Sequence, residues 1–241
     1  MADEPGQSPH WLRDVTPASW IAPRLHPFFQ DVGSVIPSGF EAYVRLFHPV
    51  EEVVDGVPRR RRWSDIAAEN GRVAHPEMQF HMVSRPADEA VPAGCQRGDG
   101  PSWGSLPWEE RRVLVELLRS ETTTPERCWL CVWDGYGDIE EPDVRQRVEL
   151  PGREYLLYTG AVELALSSIT CHRDQSANLW WPEDRAWFVA TEIDYAWSFV
   201  GGSQSLITRV LGDGRLEALP ARLTDKPFYG SDRVNGELDA L

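Results

Sequence analysis

Apolar residues recur at helical spacing most clearly in one segment. Val113, Leu114, Leu117 and Leu118 follow Pro107 and the first-turn acids Glu109 and Glu110, which predicts a helix over 107–122. A second amphipathic helix is predicted over 203–211, where Leu206, Ile207, Val210 and Leu211 form the apolar stripe and Ser203 is the N-cap. Shorter helices are predicted over 17–22, with Thr16 as N-cap and Pro23 as terminator, and over 66–70, opened by Trp63-Ser64-Asp65 and closed by Gly71. Another falls over 161–168. Strand patterns occupy 127–133, 153–158 and, most strongly, 186–193, with weaker ones at 40–47, 78–83 and 215–219. In the 40–47 run Tyr43, Arg45 and Phe47 share one face and Val44 and Leu46 the other, although the run also reads as an amphipathic helix.

Strands and helices are interspersed without strict βα alternation. That order predicts a mixed α+β fold, a mainly antiparallel sheet with helices packed on it. A single domain over 10–220 is expected, between a disordered tail at 1–9 and a loosely attached polar tail at 221–241. The segments 85–103 and 138–150 read as loops.

Charge narrows the function classes. The net charge of −14 argues against a nucleic-acid partner, which needs concentrated positive charge, and favours a basic protein partner. No run of 18 apolar residues exists, so no membrane helix is expected, and the acidic start Met1 to Gly6 lacks the core of a secretory signal. A cytoplasmic location follows as the expectation. Arg59 to Arg62 resembles a basic patch in isolation, but Glu51, Glu52 and Asp55 precede it, so a neutralised hairpin is expected.

Candidate chemistry is sparse. Cys128 and Cys131 have the spacing of a zinc knuckle or redox pair, yet on a strand positions i and i+3 face opposite sides. Buried structural thiols are therefore expected, with no metal and no cofactor. His48, His75, His81 and His172 lack a metal-binding spacing, and Val200-Gly201-Gly202-Ser203 lacks the pattern of a phosphate loop. The densest signal runs from Trp180 to Asp194, which with Trp197 holds four of the eleven tryptophans. Trp180, Trp181, Arg185 and Asp194 are its candidate binding residues. Glu192 and Asp194, two apart on the predicted strand, would share a face and divide acid and base roles, with His172 or Asp174 from the preceding loop as helper. Arg185 and Arg209 are available to them as ion-pair partners. Two functions stay open: a non-catalytic acidic module that binds a protein partner, and a hydrolase-like enzyme using Glu192 and Asp194.

The stretch Trp180-Trp181-Pro182-Glu183-Asp184-Arg185-Ala186-Trp187, continuing to Asp194 and followed by Val200-Gly201-Gly202-Ser203, resembles the shared motif of a family of uncharacterised actinobacterial proteins. Cys128 to Gly137 takes part in the same likeness, which implies no activity. A looser resemblance is to the SUKH superfamily, many of whose members look like immunity proteins. Ile36-Pro37-Ser38-Gly39-Phe40-Glu41-Ala42-Tyr43 is similar to its proline-then-aromatic helix entry and Trp63-Ser64-Asp65-Ile66 to its later tryptophan segment, while Phe47-His48-Pro49 replaces the Asn-Gly of that pattern. This likeness implies a helix over 40–46 and an acidic α+β binding module without catalytic residues.

Overall fold

The computed structural model describes residues 9–87, 100–137, 139, 146–170, 174–226 and 228–236. In chain order the elements are β1 (His10–Trp11), β2 (Ala42–Phe47), β3 (Val50–Val54), β4 (Val57–Arg61), α1 (Trp63–Glu69), α2 (Phe80–Val83) and α3 (Trp108–Arg119). There follow β5 (Cys128–Trp133), β6 (Val148–Leu150), β7 (Arg153–Gly160), β8 (Leu179–Pro182), β9 (Phe188–Ala190), β10 (Trp197–Gly202), α4 (Gln204–Gly212) and β11 (Ala218–Ala221). Nine strands form one sheet in the order β1-β7-β5-β8-β9-β10-β2-β11, with β6 also on β7. Every pairing is antiparallel. The fold class is thus α+β, as the interspersed pattern implied.

Both faces of this sheet are covered. Alternation along each strand sorts the side chains: Leu130, Leu156, Trp180 and Val200 join the core under α3 and α4. Cys131, Leu157, Trp181 and Phe199 join a second core, beneath α1, α2 and the turns between Ala18 and Ile36. Trp180 and Trp181 are neighbours in sequence yet belong to different cores. A strand buried on both faces reads as a continuous apolar run, so periodicity does not reveal it. That explains why β8 has no counterpart among the predicted strands. Among the described residues no helix is long and apolar enough to cross a membrane.

Six expectations need correction. The 78–83 segment is helical at Phe80–Val83, because Gln79 N–H donates to Asp232 at 3.1 Å and Asn70 Nδ2 to the Val83 carbonyl at 3.1 Å. The 186–193 strand shortens to β9: Thr191 N–H turns aside to Asn178, and Tyr195 N–H closes a turn on the Glu192 carbonyl. The helix over 17–22 is two 3-10 turns, with Pro23 inside the second. The 161–168 segment is likewise a 3-10 helix, over Val162–Leu166. The segment after Pro220 is anchored through residue 236 rather than loose, since the Asp232 carboxylate accepts from His75 at 2.7 Å and Asn235 donates to Val73 at 2.9 Å. Residues 40–46 hold the strand β2 rather than the helix that the SUKH likeness implies, with six residues in register against β10.

The hairpin β3–β4 is neutralised as expected, with Arg60 within 3.6 Å of Glu51 and Arg61 within 3.9 Å of Glu52. Arg60 also reaches Glu110 on α3, which ties the hairpin to the body.

Candidate functional site

Glu192 and Asp194 do meet, in the turn after β9 rather than on a strand. The meeting point is Arg153, the first residue of β7. Its Nε donates to Glu192 Oε1 at 2.8 Å and its Nη2 to Asp194 Oδ2 at 3.0 Å. Glu192 Oε2 also accepts the Asp194 N–H at 2.6 Å. Neither Arg185 nor Arg209 takes the expected part. Arg185 stacks on Trp20 at 5.0 Å, and Arg209 pairs with Glu121. Burial pushes the Glu192 carboxyl up and outweighs the Asp194 N–H and Arg153, which pull it down.

Glu192 lines a narrow, partly open pocket of about 20 Å³ together with Phe28, Phe29, Arg153, Tyr155 and Thr191. That volume holds about one water, whereas small-molecule sites run to roughly 300–1,000 Å³. The two carboxylates form an ion triad with Arg153 that clamps β7 to the β9–β10 turn, and the pocket beside Glu192 is smaller than a small-molecule site. His172 lies outside the described residues. Asp174 pairs with the buried guanidinium of Arg111, away from the triad.

The other sequence candidates separate. Trp180 and Trp181 are 1% and 0% exposed, so neither presents a surface to a partner. Their indoles pack edge-on to Trp187 and flat on Phe188, respectively. Arg185 is exposed, with left-handed backbone at φ 56°. Cys128 and Cys131 enter different cores, so their sulfurs do not converge. Burial pushes the Cys128 thiol up to about 12, and Cys131 higher still. Among the described residues no three His, Cys, Asp or Glu side chains group as metal ligands.

Two arrangements escaped the sequence reading. In the first, His48 Nδ1 lies 2.7 Å from the Ser102 carbonyl, which can only accept, so Nδ1 carries the proton. Nε2 then accepts from the Ser198 hydroxyl at 2.9 Å, and Ser198 in turn accepts from Thr191 at 2.6 Å. A serine donating to a histidine is the geometry of an activated nucleophile. Here His48, Ser198 and Thr191 are all 0% exposed, with Ser198 between β2 and β9, so the chain is a satisfied core network. Burial pulls His48 down to about 4. Its members lie 150 residues apart, and no local spacing announces them.

The second is an aromatic row on the surface. Phe28 and Phe29 pack edge to face at 4.5 Å, Phe29 meets Phe228 at 6.0 Å, and the adjoining Tyr229 stacks on His81 at 4.2 Å. Phe28, Phe29 and Tyr229 remain 38%, 49% and 44% exposed. The Phe28 ring sits where Gly152 leaves room, since a Cβ there would come within 2.7 Å of it, and Arg153 covers it at 5.0 Å. Phe29 has φ 60°, a left-handed backbone that costs a bulky residue about 1–3 kcal/mol.

No protein-family model, curated protein or solved structure matches the chain.

Proposed function

We propose that the protein is a non-catalytic, acidic protein-binding module, and that Phe28, Phe29, Phe228 and Tyr229 form the centre of its contact face. The observation that carries this reading is the strained, exposed Phe29 between two other phenylalanines. Aromatic side chains supply large contact area at low entropic cost and dominate interface energies. The indoles that are most buried take no part, because they fill the two cores. The net charge of −14 favours a basic partner. A cytoplasmic setting belongs to the same proposal and is supported by the buried free thiols Cys128 and Cys131. An immunity-like role is its narrower form and rests on the SUKH likeness alone.

The hydrolase-like alternative has one observation in its favour, the raised Glu192 carboxyl beside a cavity. The size of that cavity and the clamp of Arg153 weigh against it.

The test compares wild type with a Phe28→Ser, Phe29→Gly double variant as bait in native lysate, quantified by mass spectrometry. Glycine accepts the left-handed φ at position 29, so the variant is expected to fold. A stoichiometric partner recovered by wild type and lost by the variant supports the reading. Equal recovery by both, or no stoichiometric partner for wild type, overturns it.

A further inference from the structure

The sheet ends, on the β7 side, in two short edge strands. β1 pairs with Tyr158 and Thr159, and β6 with Arg153 to Tyr155. The β6–β7 link is the two-residue turn Pro151-Gly152, which fixes the hydrogen-bonding pattern: Leu150 and Arg153 face each other as a bonded pair, and Glu149 and Glu154 as a non-bonded pair. Two consequences follow. The backbone N–H and C=O of Glu149 point away from β7, out of the sheet. The Glu149 and Glu154 Cβ atoms lie at the closer of the two cross-strand distances, on one face of the hairpin.

Like charges opposite one another destabilise a sheet, and a cation between them would remove the cost. Arg147, two residues before Glu149, is turned instead to Asp134 at 2.9 Å. Neither Glu149 nor Glu154 has a cationic partner among the described residues. Beside this edge runs an open cleft of about 600 Å³, walled by Thr16 and Ser19 on one side and Arg147, Glu149 and Glu154 on the other. An acidic edge repels a second copy of the same edge, which is a common protection against self-association. The same charges attract a basic strand.

We infer that β6 is a strand-addition site that takes an extended, basic segment of a partner protein. The segment lies in the cleft antiparallel or parallel to β6, its backbone bonded to Glu149, with alternate lysine or arginine side chains reaching Glu149 and Glu154. Strand addition derives affinity from main-chain bonds and specificity from alternate side chains, and both parts are present at this edge. The inference deepens the binding-module reading and rests on it for the existence of a partner.

The probe is a short alternating Lys–Thr peptide titrated into the full chain at low salt, with amide chemical shifts and fluorescence anisotropy as readouts. Shifts confined to residues 146–154 and the facing Thr16–Ser19 turn are expected. Glu149→Gln with Glu154→Gln should weaken binding on the order of tenfold, because those carboxylates select the peptide's charges. Two N-methylated peptides separate strand addition from simple charge attraction. Methylation of an amide that points at β6 should weaken binding on the order of tenfold, and methylation of the next amide should not. Equal binding by both methylated peptides, or unchanged binding by the glutamine variant, overturns the inference. Phe28 and Phe29 are intact in every arm, so failure of the aromatic contact face and failure of this edge are distinguishable.

Discussion

Lowering the pH should destabilise the protein through one buried imidazole. His48 titrates near 6.5 when unfolded and is pulled down to about 4 in the fold by burial. Between those values the unfolded chain binds a proton that the folded chain refuses. Stability is therefore fully present above pH 6.5 and is lost as the pH falls towards 4. That difference corresponds to roughly 3 kcal/mol at full development, most of which is already lost at pH 4.5. Urea unfolding at pH 7.5 and 4.5 measures it, and with a slope of about 2–3 kcal/mol per M the midpoint should drop by about 1 M. His81 is also lowered by burial, so the contribution of His48 must be isolated with a non-titrating side chain. His48→Gln retains one donor and one acceptor for Ser102 and Ser198. The variant should start less stable at pH 7.5 and lose much less on going to pH 4.5. Parallel losses in wild type and variant would refute the assignment. A second, lower window belongs to Asp232, which its hydrogen bonds from His75, Gln79 and Asn235 hold down to about 2 against burial. Its share is present above about pH 4 and disappears as the pH falls towards 2.

Three further outcomes are expected. Ser203→Ala removes the hydroxyl that accepts the Leu206 N–H at 3.1 Å and should cost about 1 kcal/mol, read by thermal or urea unfolding. Cys128 and Cys131 should resist an aromatic disulfide reagent in the native state and react at the rate of unfolding, because both are 0% exposed with thiols raised by burial. Glu149→Gln should stabilise the free protein by about 0.5 kcal/mol, since it relieves a cross-strand repulsion, and a loss of stability would show that the carboxylate has an internal role.

Local chemistry made much of the fold legible. The proline and acids before Val113 marked α3, Ser203 marked the start of α4, and the alternation around Arg45 favoured β2 even where a resemblance implied a helix. Strand alternation turns Cys128 and Cys131 to opposite faces, and the two thiols enter different cores. What stayed hidden was set by distant partners. The Phe80–Val83 turn is held by Asp232 and Asn70, and β8 has no polar face to give it a period. Glu192 and Asp194 meet in a turn rather than on one face of a strand, and the guanidinium that neutralises them comes from a strand far along the chain. Sequence spacing found the carboxylates and could not foresee Arg153 between them. Exposure of Phe28 and Phe29 was equally invisible, because a phenylalanine pair reads as core until its backbone angle is known.

The place of β2, one strand in from the sheet edge, has a consequence for synthesis. This strand is held between β10 and β11, and the Ser198 that closes over its flanking His48 lies 150 residues further on. At about 5–20 residues per second, a ribosome needs on the order of 10–30 seconds to deliver that partner. Throughout this interval Val44, Leu46 and Phe47 are a bare apolar ribbon. Expression at reduced temperature or with added chaperone should therefore raise the yield of soluble product.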